Sequence, residues 1–236
     1  SRGLGDVYKR QVPDRLAGSD AESQALLRIH QERYEFAARY VRPGRLLDLA
    51  CGVGYGTRLL ADRCPDVEVA LGVDLSAESV RYAQERYGAA RVQYRVGDAM
   101  TFQDPEGFDT LVSLEPVEHL PEPQRYLDRA GGLLRPGGVL IASVPTTPSV
   151  DLNPHHLHDF TERSFRRAFV AHSLVETAAL RQRQPVALGP VLRREDPRLS
   201  EVRTDLVRWY LGHPGALGKR ILSTLLYGFA NRYLTL

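Results

Sequence analysis

The stretch Leu46–Thr57, LLDLACGVGYGT, carries the strongest structural signal in this chain. It changes within a few residues from an apolar run of strand length to a glycine cluster and then to a helical pattern. Gly52, Gly54 and Gly56 permit positive φ and let the backbone approach a ligand, while the start of the helix offers N–H groups. Several adenine-containing cofactors use such turns, and plain tight turns use the same glycines. This stretch alone therefore predicts a strand, a turn and a helix, but no particular ligand.

Strand and helix patterns alternate on both sides of this stretch. Short apolar runs of strand length are RLLDLA, VEVALGVD, RVQYRVGD, FDTLVSLE and GGVLIASVP, at residues 45–50, 67–74, 91–98, 108–115 and 137–145. Helical spacing fills the intervals and also precedes the first run, over residues 21–41. Nearly continuous apolar strands that alternate with helices are typical of a parallel sheet covered on both faces. We therefore predict an α/β fold with a doubly wound, mostly parallel sheet.

Composition and charge agree with a globular chain and argue against several other classes. Apolar residues make up 43% of the 236 residues and charged residues 25%, which is ordinary for a globular domain. The net charge is only +2, and its basic part is nearly all arginine, so we expect no nucleic-acid partner. Two cysteines without disulfide or metal spacing favour a reducing, cytoplasmic location. No run reaches the roughly 18 apolar residues of a membrane span.

The expected organisation is one main domain with an appendage. Residues 1–11 lack a starting methionine and share no periodicity with the segment after them, and we interpret them as a non-native leader. Residues 12–190 are expected to form the main domain, with one or two antiparallel edge strands near its end. Residues 191–236 are expected to form a helical C-terminal extension, with two helical stretches separated at residues 212–214.

Acidic residues end the second and third predicted strands. Asp74 lies 26 positions after Asp48, at a strand end where a carboxylate can accept both hydroxyls of a ribose. Asp98, in VGDAM, is suited to accept a hydrogen bond from an adenine amino group beside Ala99 and Met100. Ligands of doubly wound sheets bind beyond the carboxyl ends of the strands. Three successive strand ends are therefore expected to hold one nucleoside.

Together, these motifs resemble those of class I S-adenosylmethionine (SAM)-dependent methyltransferases with a methyltransferase type 11/23-like domain. DLACGVGYG resembles their first motif, LGVDLS their ribose-binding acid, VGDAM their adenine loop, FDTLVSLEPVEHL their fourth-strand motif and LLRPGGVLIASVP the next helix and strand. The resemblance runs from about His30 to Phe165 and implies a seven-stranded Rossmann-like sheet with SAM as the cofactor. Two departures are Ala50, where the family usually has glycine, and Pro116, which predicts a stiffened turn.

The same resemblance implies which residues line the cofactor. The expected lining residues are Tyr34, Asp48, Ala50, Gly52, Gly54, Asp74, Leu75, Asp98, Ala99 and Leu114. The glycine turn would lie along the methionine part of SAM, the second strand end along the ribose, the third along the adenine, and Leu114 on the side of the sulfonium. Tyr34 lies in HQERYEFA, which resembles a lid helix of some relatives. The alternative is an amphipathic helix that only packs on the domain.

Residues that would act on the methyl acceptor follow the fourth and fifth strands. Glu118 and His119 follow the fourth, and NPHHLHDFT, residues 153–161, follows the fifth and contains His156 and His158. Loops after neighbouring parallel strands converge on one cleft, and imidazole has a pKa suited to take the proton of a hydroxyl. We predict His119 as the base, with Glu118, His156 and His158 as further catalytic residues. The alternatives are a histidine that only orients its loop, and histidines that lie at the surface or cap a helix.

The pattern E-x-x-E-H at residues 115–119, with the later H-x-x-H-D-F, also resembles the metal site of small-RNA 2′-O-methyltransferases. Two carboxylates and two imidazoles suit a divalent cation. However, no RNA-binding module is apparent in the sequence, and SAM itself carries positive charge. We therefore predict no metal and keep metal-assisted RNA methylation as an alternative. Asp159 is expected to cap a helix that begins near Thr161.

The sequence thus predicts an enzyme that transfers a methyl group from SAM to oxygen, in preference to nitrogen, of a small-molecule or glycan-like acceptor. A non-catalytic SAM-binding protein is the alternative from another class, and an NAD-dependent oxidoreductase shares the glycine turn. In the last helical stretch, an apolar face beside Lys219 and Arg220 is expected to consist of Leu222, Leu225, Leu226 and Phe229, extended by Trp209 and Tyr210 from the stretch before it. We expect this face to pack on the domain or on a second copy, in a monomer or homodimer, or to contact a membrane surface.

Overall fold

The computed structural model describes residues 21–170, 174–185, 206–228 and 230–236. The helices and strands are α1 Ala21–Ala38, β1 Gly44–Leu49, α2 Tyr55–Arg63, β2 Val67–Asp74, α3 Ala77–Tyr87, β3 Val92–Val96, β4 Phe108–Leu114, α4 Pro123–Gly132, β5 Leu134–Pro145, α5 Glu162–Val170, β6 Leu180–Pro185, α6 Leu206–Gly212, α7 Pro214–Tyr227 and β7 Ala230–Thr235. A 3₁₀ turn, Val117–His119, follows β4. The expectation for residues 1–11 and the first part of the expected C-terminal extension, residues 191–205, lie outside the described residues.

The seven strands form one sheet in the order β3-β2-β1-β4-β5-β7-β6. β1 pairs in parallel with both β2 and β4, and β2 pairs in parallel with β3. β7 pairs antiparallel with both β5 and β6. The predicted doubly wound, mostly parallel sheet is confirmed. The strand order reverses between β1 and β4, which is where such sheets place their ligand sites.

The described chain divides into two compact units. The first holds the chain up to Leu114 with Gln124–Ala142 and Leu236, and the second holds Glu115–Pro123 and Ser143–Thr235. In the first unit, the strand residues that are 0% exposed include Leu46, Leu47, Leu49, Ala70, Val73, Leu111 and Val112. Central parallel strands need such apolar runs because both of their faces are covered. This packing holds the strand ends in fixed positions.

In the second unit, helix α5 begins with a side-chain cap. Thr161 accepts the N–H of Ser164 on its Oγ1 at 3.0 Å. The expectation that Asp159 caps this helix is wrong, because its Oδ1 accepts the N–H groups of Ser149 and Val150 at 2.8 and 3.1 Å. Thr161 immediately precedes the helix and therefore has the shorter reach to the free N–H groups of the first turn.

The C-terminal part of the second unit consists of α6, α7 and β7. The predicted break between two helices is confirmed, since α6 ends at Gly212 and α7 starts at Pro214. The expected helical extension does not continue to the end of the chain, because Gly228, at φ 71°, ends α7 and the next residues form β7. β5 and β6 lie on either side of β7 and satisfy its backbone N–H and C=O groups.

Asp151 ties α6 and α7 to the loop after β5. Arg220 donates to its two carboxylate oxygens at 2.6 and 2.7 Å, and the Tyr210 hydroxyl donates to Oδ2 at 2.6 Å. The hydroxyl of Tyr210 is thus fixed by a buried carboxylate, and the part of its ring in an apolar face stays a prediction. The apolar side of α7 is exposed, with Leu225 78% and Leu226 62% accessible. None of the described helices combines the length and the apolar character that a bilayer crossing needs.

Candidate functional site

The turn between β1 and α2 has the backbone conformation that its glycines predict. Gly52 and Gly54 have φ values of 56° and 82°, in the left-handed region. At Gly56, in the first turn of α2, a Cβ atom would come within 1.9 Å of the Tyr34 ring. Tyr34 is only 6% exposed. Its ring therefore packs directly on the glycine turn, and a side chain at Gly56 would displace it.

The ends of β1, β2 and β3 are joined to one another by backbone hydrogen bonds. Ala50 and Cys51, which follow β1, donate their N–H groups to the carbonyl oxygen of Val73 at 2.8 and 3.0 Å. Gly97, which follows β3, donates to the carbonyl oxygen of Asp74 at 3.0 Å. The three strand ends that are predicted to hold one nucleoside are therefore neighbours.

Asp74 is buried at the end of β2, with 2% exposed. Its Oδ2 accepts the N–H of Gly52 at 2.9 Å, and its Oδ1 accepts that of Ser76 at 2.8 Å. Burial raises the pKa of Asp74 above its ordinary value, although the two backbone N–H groups act in the opposite direction. Each carboxylate oxygen has a second lone pair. The backbone thus orients a carboxylate that retains the capacity to accept two hydroxyl groups.

Asp48 is the second buried carboxylate of the first unit. Its Oδ2 accepts the hydroxyls of Thr57 at 2.7 Å and Tyr34 at 3.3 Å. Its Oδ1 has no hydrogen-bond partner within the part of the chain that the structure describes. Burial raises the pKa of Asp48 to about 7; the two hydroxyls oppose this rise, and the charge of Asp74 adds to it. A cationic or N–H-bearing ligand group at Oδ1 would relieve the cost of this buried acceptor.

The remaining predicted cofactor residues are more accessible. Asp98 is exposed, and its Oδ1 accepts the N–H of Met100 at 2.8 Å, which holds the loop after β3 in a turn. Leu75, directly after β2, is 64% exposed. Ala99 and Leu114 are half-buried. An exposed leucine next to the strand ends offers apolar surface that a nucleoside can cover.

Ala50 carries backbone strain that its residue type does not reveal. Its φ is 68°, in the left-handed region that residues with a Cβ disfavour. Glycine, the usual family residue, adopts this conformation without strain. The turn keeps its conformation because the N–H groups of Ala50 and Cys51 are both bonded to Val73.

In the second unit, the loop after β4 starts at Glu115, another non-glycine residue with positive φ, 65°. Its N–H donates to the carbonyl oxygen of Ser143 at 3.1 Å. Pro116 then leads into the 3₁₀ turn, which buries Glu118 to 1% exposure. The carbonyl oxygen of Glu118 accepts the N–H of Leu157 at 2.8 Å. The loop after β4 is thereby joined to the loop after β5.

His119 and His156 meet edge to face, with ring centroids 4.6 Å apart and an interplanar angle of 89°. Nδ1 of His119 lies 3.1 Å from the carbonyl oxygen of His155, and Nδ1 of His156 lies 2.7 Å from Ser149 Oγ. A carbonyl oxygen only accepts, so Nδ1 of His119 carries the proton and Nε2 keeps its lone pair. Burial is the main cause that lowers the pKa of both rings, to about 3 for His156. Both imidazoles are therefore neutral near pH 7.

Glu118, His119 and His156 each offer one atom that can bind a cation, and these atoms lie within 4.8 Å of one another. We call them the Glu118–His119–His156 cluster. Glu115 and His158, which the sequence pattern also includes, do not belong to it. The ring of His158 lies beside Phe160 instead, with centroids 6.3 Å apart. Of the residues in the metal-like pattern, the fold brings together Glu118 and His119, and the second imidazole is that of His156, at a position that the pattern leaves open.

Sequence reasoning missed the roles of three residues that support these sites. The hydroxyl of Thr57 binds Asp48, that of Ser149 binds His156, and that of Tyr94 donates to the carbonyl oxygen of Gly54 at 2.7 Å. Thr57 stands in the glycine motif, so its place in the first turn of α2 was a usable signal. Ser149 and Tyr94 lie in ordinary loop and strand patterns, which carry no such signal.

A family comparison agrees with this geometry. Residues 47–142 match the family model described as a methyltransferase domain. The match starts in β1 and ends in β5, so it includes the glycine turn, Asp48 and Asp74. Residues 47–142 are thus similar to a methyltransferase domain, in agreement with the resemblance of the five motifs.

Individual relatives agree with this family. An uncharacterized methyltransferase of Mycobacterium tuberculosis is 37% identical over 113 residues, 48% of this chain and 56% of that protein. A ubiquinone biosynthesis O-methyltransferase of Leptothrix cholodnii is 32% identical over 110 residues, 44% of this chain and 46% of that protein. The chain thus spans about half the length of these curated relatives.

A solved structure shows the same fold. The magnesium protoporphyrin IX methyltransferase from Synechocystis PCC 6803, determined with bound SAM, is 19% identical and has a TM-score of 0.59. The alignment covers 76% of this chain and 85% of that one. The Rossmann-like methyltransferase fold is therefore confirmed.

Proposed function

We propose that the protein transfers the methyl group of SAM to an oxygen atom of a small-molecule or glycan-like acceptor. The observation that carries this proposal is the meeting of the β1, β2 and β3 ends in the first unit, where Asp48 and Asp74 are buried beside a glycine turn. SAM supplies an electrophilic methyl group on a positively charged sulfur. The protein's residues hold that group and align the acceptor oxygen with it.

The first unit fits SAM in hydrogen bonding, charge and backbone shape. Asp74 retains lone pairs for the two ribose hydroxyls. Asp48 presents a buried oxygen without a partner in the described chain, which suits the cationic amino group of the methionine part. The start of α2, after Gly54, offers backbone N–H groups that favour a carboxylate. Leu75 and Ala99 supply apolar surface for the adenosine.

The acceptor-side residues in this proposal are those of the Glu118–His119–His156 cluster. His119 follows the last residue of β4 by five positions, and His156 belongs to the loop after β5. In doubly wound sheets, the loops after the strands supply the groups that act on substrates. His158 stays a prediction from the sequence, with Phe160 as its ring neighbour.

Oxygen is the proposed acceptor atom for a chemical reason. A hydroxyl becomes a better nucleophile when a neighbouring group accepts its hydrogen bond, whereas a neutral amine already has a free lone pair. The cluster supplies such acceptors in Glu118 and in Nε2 of His119. The Leptothrix cholodnii relative is named an O-methyltransferase, which supports the same choice.

Calorimetry with S-adenosylhomocysteine tests the cofactor site separately from catalysis. We expect one site per chain, and we expect Asp74→Ala to weaken binding by about 1–3 kcal/mol, the scale of a lost polar pair. Asp66→Asn is the matched control, because Asp66 is exposed just before β2. Unchanged affinity in a folded Asp74→Ala protein would rule out the ribose role.

Turnover is tested by incubating the protein with SAM and a panel of hydroxyl, carboxyl and amino acceptors, with mass spectrometry of the products. Methylation of oxygen supports the proposal, and methylation of amines alone overturns the choice of oxygen. Cofactor binding without turnover on any acceptor favours the non-catalytic SAM-binding alternative. Thermal protection by NADH and none by S-adenosylhomocysteine favours the oxidoreductase.

Contact of α7 with a membrane surface or with a second copy remains a prediction. The charged residues of α6 and α7 are Arg208, Lys219 and Arg220, which are all basic. Leu225 and Leu226 are exposed on α7. An exposed apolar side flanked by basic residues is compatible with both kinds of contact.

A further inference from the structure

We propose that Glu118, His119 and His156 form a site for a divalent cation that takes nitrogen and oxygen ligands, such as zinc. The side chains of the second unit alone support cation binding, whereas the role of the cation towards the methyl acceptor rests on the proposed function. The sequence predicts no metal, but the arrangement of these three side chains favours one.

The three side chains supply a suitable ligand set. Their ligand atoms lie within 4.8 Å of one another. Two imidazoles and one carboxylate make up several catalytic zinc sites, in which a fourth position stays open for an oxygen ligand. Zinc ligands stand about 2.0–2.2 Å from the metal. Tetrahedral ligands at that distance stand about 3.3–3.6 Å from one another, so side-chain rotations that shift the ligand atoms by roughly 1 Å would enclose a cation.

Both imidazoles are held at Nδ1, as the rings of metal-binding histidines generally are. Nδ1 of His119 is bonded to the carbonyl oxygen of His155 at 3.1 Å, and Nδ1 of His156 to Ser149 Oγ at 2.7 Å. Each ring keeps Nε2 as the nitrogen that can bind a cation. One ion can reach both rings, since the ligand atoms of the cluster lie within 4.8 Å of one another.

Glu118 supplies a carboxylate in a place where charge is costly. It is 1% exposed, so a bound cation would offset part of the desolvation cost of its charge. Its carbonyl oxygen accepts the N–H groups of Leu157 at 2.8 Å and His158 at 3.3 Å. These bonds join the 3₁₀ turn to the loop that carries His156. The ligands from two loops are therefore held in one arrangement before a cation arrives.

A cation in this site would bind the acceptor oxygen at its open position. Coordination lowers the pKa of a hydroxyl and fixes its orientation. An acceptor with two neighbouring oxygens, such as a vicinal diol or a hydroxy acid, would bind more tightly than a lone hydroxyl because its second oxygen binds intramolecularly. His119 then acts as a ligand and not as the base, since a proton and a cation compete for the same lone pair on Nε2.

Metal titrations of the full chain without SAM test the site. We expect one equivalent of Co²⁺ to bind with visible d–d absorption, and Zn²⁺ to displace it and raise the melting temperature. Mg²⁺ and Ca²⁺ prefer oxygen ligands, so we expect them to bind at least about tenfold more weakly. Absence of stoichiometric Co²⁺ and Zn²⁺ binding overturns the proposal.

Variants locate the site. Glu118→Gln and His156→Gln remove one ligand each with little change in size, and we expect each to weaken Zn²⁺ binding at least about tenfold. His158→Gln, close in the chain but outside the cluster, and His213→Gln, at an exposed position, are the controls and should bind Zn²⁺ like the original protein. Circular dichroism checks folding, and the half-buried His156 provides a variant should the buried Glu118 not tolerate change.

The outcomes separate this inference from the proposed function. Equal Zn²⁺ affinity in the original protein and in both ligand variants overturns the cation site. Calorimetry with S-adenosylhomocysteine on the same samples reports on the first unit independently. Cofactor binding without cation binding contradicts only this inference, and cation binding without cofactor binding contradicts only the proposed function.

Discussion

The strand ends of the first unit and the histidine cluster of the second unit are built in different ways. In the first unit, strand register and backbone N–H groups place the carboxylate of Asp74. In the second unit, the side chains of His119 and His156 come from separate loops, and each is held by one hydrogen bond. Backbone geometry and buried charge thus form the first site, whereas individual side chains form the second.

If buried charge limits the first site, the charge of Asp48 should have the largest effect on the stability of the protein. Its pKa in the folded protein is about 7, above the roughly 3.9 of an unfolded chain. Folding therefore favours the protonated form of Asp48. The contribution of this one group to the free energy of unfolding is full below pH 4, falls as the pH rises from 4 to 7, and stays low above pH 7. Asp48→Asn cannot ionise, and we expect it to raise the free energy of unfolding at pH 8 by roughly 2–4 kcal/mol.

Urea denaturation of the cofactor-free protein at pH 5 and pH 8 measures this effect. Asp62→Asn is the control, because Asp62 is exposed on α2 and pairs with Arg58 at 2.8 Å. We expect this control to keep the pH dependence of the original protein. The same pH dependence in Asp48→Asn would show that buried charge does not limit the first site.

A smaller effect is expected from the contact between Gly56 and Tyr34. Gly56→Ala places a methyl group where the Tyr34 ring lies, and we expect a loss of about 1–3 kcal/mol of stability. The added cost of Gly56→Ala should shrink in a Tyr34→Ala background, because the ring is then absent. Gly131→Ala in α4 is the control, since a Cβ there meets nothing within 4 Å. Equal costs in both backgrounds would contradict the contact.

The smallest effect is expected at Ala50. Ala50→Gly removes the strain of a positive φ but adds freedom to the unfolded chain, so we expect a net gain of about 0.5–1 kcal/mol. Ala77→Gly, at the exposed start of α3, should instead be neutral or destabilising. Thermal unfolding of both variants measures the difference. A loss of stability in Ala50→Gly would mean that the alanine methyl group contributes packing that outweighs the strain.

The elements that were predicted well are those with a local signal. β2 has the predicted bounds, Val67–Asp74, because its apolar run is continuous and ends at an acid. β5 was expected from residue 137 but begins at Leu134, because sheet pairing overrides the tendency of its glycines to end a strand. β7 was missed because its strand conformation depends on two distant partners, β5 and β6.

The candidate site likewise has one part that the sequence predicted well and one part that it predicted only partly. The joined strand ends around Asp74 follow from motif order, since parallel strands in a doubly wound sheet bring their ends to one edge. The cluster was only partly predicted: Glu118, His119 and His156 were expected together with His158, and the metal-like pattern also included Glu115, but neither Glu115 nor His158 belongs to the cluster. Spacing along a loop does not determine the direction of a side chain, so the folded backbone had to select among them.

The amino-acid sequence alone specified the first five strands and the helices between them, the glycine turn and the acids that end the strands, and hence the resemblance to methyltransferases. These features depend on apolar periodicity and local backbone preferences, which neighbouring residues specify. Three features became visible only in the folded chain. Asp48 is buried and has a raised pKa, and Ala50 has a strained positive φ. Glu118, His119 and His156 come together in one cluster. Burial, strain and contacts between loops arise from packing distant segments, and no local pattern in the chain encodes that packing.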